Sequence, residues 1–75
     1  MNKKDIIRKI FQKNIGIDLK ESQYDEEFNN MSGWDSLKHV QFVIELEEEL
    51  DIQLTPEELE NGNSINKIFE IIDKK

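Results

Sequence analysis

Ser36 stands in the run Gly33-Trp34-Asp35-Ser36-Leu37, where an irregular stretch gives way to a helical pattern. A hydroxyl in that position can attack a substrate, or it can be displayed for another protein to modify. Attack requires a histidine base, an acid orienting the far side of its imidazole, and an oxyanion hole. Attack by Ser36 would have to use His39, the sole histidine, with Asp35 as the neighbouring acid to weigh. Asp35 adjoins Ser36 and is better employed as a helix N-cap than as an orienting acid. No Gly-x-Ser-x-Gly elbow surrounds the serine, and 75 residues leave little room for a substrate pocket. The expectation is a modified hydroxyl on a protein with no catalysis of its own.

Other chemistry is poorly supported. The chain has no cysteine, which excludes disulfides and thiolate metal sites and fits a reducing compartment. A calcium loop needs oxygen ligands at positions one, three and five before a glycine at six. Counting back from Gly33 places Phe28 at position one, from Gly16 Phe11 falls there, and from Gly62 Leu59 falls at position three. No metal site is expected. Acids outnumber bases 17 to 10, giving a formal charge of −7. Binding phosphates relies on clustered Lys and Arg, so nucleic acid is an improbable partner, and basic protein surfaces are favoured. No apolar run is long enough for a signal peptide or a membrane span. A cytoplasmic monomer without membrane insertion is the default expectation.

The elements that position Ser36 follow from apolar spacing. Ile6, Ile7, Ile10 and Phe11 form one face of a first helix, roughly residues 3–14, with Gly16 as its stop. Residues 17–35 show no sustained period. A loop of that length is uncommon unless functional, and Ile17, Leu19, Tyr24, Phe28 and Met31 are expected to pin it across the helices. A second helix spans about 36–50 with Asp35 as N-cap. Ile52 and Leu54 alternate briefly. Thr55-Pro56-Glu57-Glu58 has the form of a capping box with proline at the first helical position, opening a short third helix that ends near Gly62. Ser64 caps a fourth helix, with Ile65, Ile68, Phe69 and Ile72 on its apolar face. The expected fold is a single all-α domain over residues 1–75: a small four-helix bundle with a long first loop and a short third helix.

At about 100° per residue, the second helix has two apolar faces. Phe42, Val43, Leu46 and Leu50 form an ordinary core stripe. Leu37, Val40 and Ile44 fall well over a quarter turn away, with Gln41, Glu47 and Glu48 among or beside them. An apolar strip edged by carboxylates is the pattern of a docking surface. Glu45, Glu47, Glu48, Glu49 and Asp51 crowd the C-terminal half, where the helix dipole disfavours each by about 0.3–1 kcal/mol near the last turn. Glu45–Glu49 and Glu47–Asp51 are also like-charge pairs, each unfavourable by roughly 0.2–0.5 kcal/mol. Sequences that defy local stability rules mark candidate functional sites. Trp34 is expected to pack the loop, and His39, near the inner stripe, to be structural.

Asp35-Ser36-Leu37, the following Val40-Gln41-Phe42-Val43-Ile44-Glu45-Leu46-Glu47-Glu48-Glu49-Leu50, and Thr55-Pro56-Glu57-Glu58 together resemble the acyl carrier protein family. The likeness covers nearly the whole chain in length, helix order and loop length. It implies that Ser36 receives 4′-phosphopantetheine from coenzyme A by way of a phosphopantetheinyl transferase. The thiol of that arm would then carry acyl groups as thioesters between loading, condensing and acyl-transfer enzymes with basic docking surfaces. Asp35, Leu37, Val40, Ile44, Glu47 and Glu48 match the partner-facing surface, and Phe42, Val43, Leu46 and Leu50 the core. Trp34 is bulky where fatty-acid carriers often have a small residue. Lys38 and Gln41 stand where acids are common. These departures lower the acidity near Ser36 and point towards a specialised carrier serving a dedicated pathway. An aminoacyl carrier such as a D-alanyl carrier would use the same arm. Outside the family, the alternative is a cofactor-free acidic helical adaptor.

Overall fold

The computed structural model describes residues 2–75. Four helices follow one another: α1 (Lys3–Ile15), α2 (Ser36–Leu50), α3 (Pro56–Asn61) and α4 (Ile65–Asp73). Among the described residues there is no strand, so the expected all-α bundle with a short third helix is what forms. α1 packs against α2 and α4, and α3 leans on α4.

Each helix begins where a local signal says it should. The side chains of Asn2, Asp35, Thr55 and Ser64 accept from the amides of Asp5, Lys38, Glu58 and Lys67 respectively. Every one satisfies a donor that the first helical turn otherwise leaves bare. The Thr55 box is reciprocal, since the Thr55 N–H also donates to Glu58 Oε1 at 2.9 Å. Glu58 Oε1 further meets Lys75 Nζ at 2.8 Å, and these two donors, the lysine first, hold its carboxyl below the usual range.

The core is one cluster with phenylalanines at its centre. Phe11 and Phe28 stack at 4.6 Å between centroids, and Phe42 meets Phe11 edge-on at 5.3 Å. Such pairs add about 0.5–1.5 kcal/mol each beyond the area they bury. Ile7, Ile10, Ile15, Leu46, Ile65, Ile68 and Ile72 surround them. Two expectations need correction. Leu50 and Phe69 are only half-buried and pack on the rim. Leu50 closes α2 where the chain turns away, and the Phe69 ring instead receives Lys4 Nζ at 5.0 Å from its centroid.

The long first loop is pinned as expected, because Leu19, Tyr24 and Phe28 are buried in the same core. Two single 3₁₀ turns, Glu21–Gln23 and Phe28–Asn30, shape it. Its backbone is also bonded to the α3–α4 junction. The Phe28 N–H donates to the Asn63 carbonyl at 2.8 Å, and the Asn66 N–H to the Tyr24 carbonyl at 3.0 Å. Ordering these residues costs entropy, offset by three buried side chains and two junction bonds.

Candidate functional site

The loop delivers the chain to α2 through a turn in which the Trp34 N–H donates to the Met31 carbonyl at 3.4 Å. Gly33 occupies its third position at φ +93°, which side chains rarely tolerate and glycine adopts freely. Asp35 then caps the helix through a 2.8 Å bond from the Lys38 N–H, while its carbonyl accepts from the His39 N–H at 3.0 Å. One carboxylate oxygen of the capping acid is thereby committed to the backbone, and the residue stays exposed.

Ser36 follows as the first helical residue, exposed. Its hydroxyl makes no hydrogen bond among the described residues, and the Ser36 and Leu37 N–H groups find no acceptor there either. An oxygen-linked anion at this point would meet two free donors and the positive end of the helix dipole. No hydrogen bond joins Ser36 to His39 or Asp35 among the described residues, so the elements of a hydrolytic triad are not assembled.

His39 lies one turn on, half-buried, its ring against Phe28 and Phe42 at 5.7 and 5.8 Å. Trp34 Nε1–H donates to His39 Nδ1 at 3.3 Å. Burial pushes the imidazole pKa below its ordinary 6.5, because the charged form loses hydration. The reading of both residues as structural holds, and the bulk of Trp34 is explained by the partner it binds. Sequence inspection did not pair them. The only available signal was a five-residue spacing across a helix start.

Along α2 the two faces separate as read. Phe42, Val43 and Leu46 are buried, whereas Leu37, Val40 and Ile44 are 69%, 53% and 49% exposed. The carboxylates divide in a way the sequence does not show. Glu45 bonds to α1, receiving Lys13 Nζ at 3.1 Å and Asn14 Nδ2 at 3.4 Å. Glu47 Oε2 accepts the Leu54 N–H at 2.8 Å, and the Glu47 carbonyl accepts the Asp51 and Ile52 N–H groups. Glu47 therefore organises the chain reversal after α2, where Asp51 takes a left-handed φ of 53°. Glu48 stays exposed beside Ile44, without a side-chain bond among the described residues. Ile44, Glu48, Asp51, Ile52 and Leu54 line an open, shallow concavity at this end of the helix.

The family model described as the phosphopantetheine attachment site matches residues 5–72. The chain belongs to the acyl carrier protein family. It is 35% identical over 74 residues to the acyl carrier protein of Buchnera aphidicola subsp. Acyrthosiphon pisum, covering 99% of this chain and 92% of that one. It is 33% identical over 66 residues to the acyl carrier protein of Clostridium acetobutylicum, covering 88% and 86% of the two chains. Against the acyl carrier protein of Chlorobium phaeovibrioides the identity is 29% over 72 residues, covering 96% and 92%. The cofactor of the family is 4′-phosphopantetheine, and its members carry substrates for other enzymes and catalyse nothing themselves. No described helix of this carrier is long and apolar enough to cross a membrane.

Proposed function

We propose that Ser36 is the residue that bears 4′-phosphopantetheine, and that the chain is a specialised acyl carrier. The observation supporting this is an exposed hydroxyl on the first residue of α2, with the Ser36 and Leu37 N–H groups free beside it and Asp35 serving as the cap. The bound group supplies a thiol, which explains how a chain without cysteine can take part in thioester chemistry. Within the protein, the first turn of α2 stabilises the phosphodiester charge. The rigid Asp35 cap fixes the direction in which the hydroxyl is presented.

Partner recognition is assigned to Asp35, Leu37, Val40, Ile44 and Glu48, a strip combining exposed apolar surface with carboxylates. The fitting partners are a phosphopantetheinyl transferase and the loading, condensing and transfer enzymes of fatty-acid, polyketide or related biosynthesis, approaching through basic surfaces. Glu47 contributes negative potential, but its carboxylate holds the α2–α3 connection. Lys38 and Gln41 dilute the charge near Ser36, favouring a dedicated pathway over general fatty-acid synthesis. A cytoplasmic, monomeric carrier domain over residues 1–75 fits the acidic, cysteine-free chain. The family match favours this reading over a cofactor-free adaptor.

Incubation with coenzyme A and a promiscuous phosphopantetheinyl transferase is expected to add the mass of one phosphopantetheine group. Peptide mapping should place it on Ser36, and Ser36→Ala should remain unmodified. An unchanged intact mass under conditions that modify a control carrier would remove the assignment.

A further inference from the structure

The chain leaves α3 through Asn61-Gly62, a pair with reactivity of its own. An asparagine carboxamide can be attacked by the nitrogen of the peptide bond that follows it. A glycine at that point carries no side chain to obstruct the approach. No other asparagine of this chain precedes a glycine; Asn14 is followed by Ile15 and Asn66 by Lys67. Asn61 is exposed, at the last position of α3.

The closed fold holds this reaction off. Ring closure brings Asn61 Cβ and the Gly62 nitrogen near eclipsed about the Cα–C bond, whereas a helical ψ staggers them. The Gly62 N–H is also occupied, donating to the Glu58 carbonyl at 2.9 Å, and the Asn61 carbonyl accepts the Asn63 N–H at 3.0 Å. Gly62 is buried, so closely that a Cβ would lie 3.1 Å from the Glu58 carbonyl oxygen and from Ile68 Cγ1. The nitrogen becomes available only when the end of α3 opens. This helix is suited to opening, being six residues long with none of them fully buried. So short a helix does not hold without support, here the Thr55 cap and the Glu58–Lys75 ion pair. Segments with few buried contacts open well below the free energy of global unfolding.

We propose that Asn61 is a site of spontaneous deamidation gated by the opening of α3. The Gly62 nitrogen attacks Asn61 Cγ and closes a succinimide ring. The Cγ–Nδ2 bond breaks, and Nδ2 leaves as ammonia with the Gly62 amide proton. Water then adds to either ring carbonyl and reopens the ring as aspartate or isoaspartate, releasing a proton, with no oxidation or reduction. Either product adds a fourth carboxylate to α3, three and four residues after Glu58 and Glu57, where like charges repel. The isoaspartyl product also lengthens the main chain by a methylene, which displaces Gly62 from its packing. The Asn63 carbonyl, which accepts the Phe28 N–H at 2.8 Å, follows directly, so conversion loosens the tether of the first loop. The site is independent of Ser36 and of any cofactor.

The test ages the folded chain in neutral and in mildly alkaline buffer. Peptide mapping then separates asparagine, aspartate and isoaspartate. Asn61 is expected to convert, faster at the higher pH, while Asn14 and Asn66 stay amides. Conversion should run severalfold slower than in the same chain held in urea, and hydrogen exchange at the Gly62 amide should track it. Thr55→Ala, which removes the cap, should speed both by roughly fivefold. In purified converted chains the Phe28 amide should exchange faster, and unchanged exchange there would overturn the loosening of the loop. The gate is overturned if folded and urea-held chains convert alike, or if Thr55→Ala speeds Gly62 exchange without speeding conversion. An Asn61 that stays intact while the urea-held chain converts fully would overturn the site itself. The wild-type comparisons stand even if Thr55→Ala folds poorly.

Discussion

In the first turn of α2 the Ser36 hydroxyl and the Ser36 and Leu37 N–H groups have no partner among the described residues. In its second half the Glu45 and Glu47 carboxylates are each bonded to another part of the chain, Glu45 to α1 and Glu47 to the segment before α3. The same helix is thus open at one end and tied down at the other. Acidity alone is consequently a poor guide to a docking surface. Of the five acids in the second half, two hold the tertiary structure, which offsets part of the dipole and like-charge costs that the sequence incurs. Glu48, beside exposed Ile44, remains available to a partner. The open end is held by the Asp35 cap and by His39, which bonds to Trp34 and packs on Phe28 and Phe42, and neither contact uses the serine.

The comparison can be broken most severely in the core beneath both ends. Phe42 is fully buried against Phe11 and Phe28, and Phe42→Ala should cost about 3–5 kcal/mol in urea unfolding. Next comes the tied end. Glu47→Gln should lower stability by about 1–2 kcal/mol, because its charged acceptor for the Leu54 N–H is lost. Glu48→Gln should stay within about 0.5 kcal/mol. If the two variants unfold alike, the division of acids is wrong. At the open end, Asp35→Ala should cost about 1 kcal/mol as a lost cap, whereas Ser36→Ala should be close to neutral in stability while blocking modification. For docking, Glu48→Lys should slow loading by an enzyme with a basic surface and reduce the salt dependence of that rate, leaving the melting temperature nearly unchanged.

The smallest effect is a pH dependence. His39 has its folded pKa lowered from 6.5 by burial, so between the two values the unfolded chain binds more protons. Its contribution to stability is complete above pH 6.5 and is lost as pH falls below that value towards the folded pKa. Protonation would also turn Nδ1 from an acceptor into a donor facing Trp34 Nε1–H. The surrounding rings of Phe28, Phe42 and Trp34 carry no charge, and the acids that line concavities together with His39 are Glu58 and Glu60. His39→Gln should flatten the melting-temperature profile across this window, and an unchanged slope would assign it to the carboxylates.

Helix starts, the short α3, the apolar faces and the placement of Ser36 were determined by the sequence itself, because each depends on residues within about one turn of one another. Asp35 caps Lys38, Thr55 and Glu58 cap each other, and an exposed Leu37–Val40–Ile44 strip follows from helical spacing alone. The Trp34–His39 bond, the division of Glu45 and Glu47 from Glu48, and the tethering of the first loop were decided only by the tertiary structure. Glu45 reaches Asn14 across 31 positions, and Asn66 Nδ2 reaches Asp25 across 41. Which of several equivalent carboxylates and amides meets a partner at such separations depends on how the helices pack. Local periodicity carries no record of that choice.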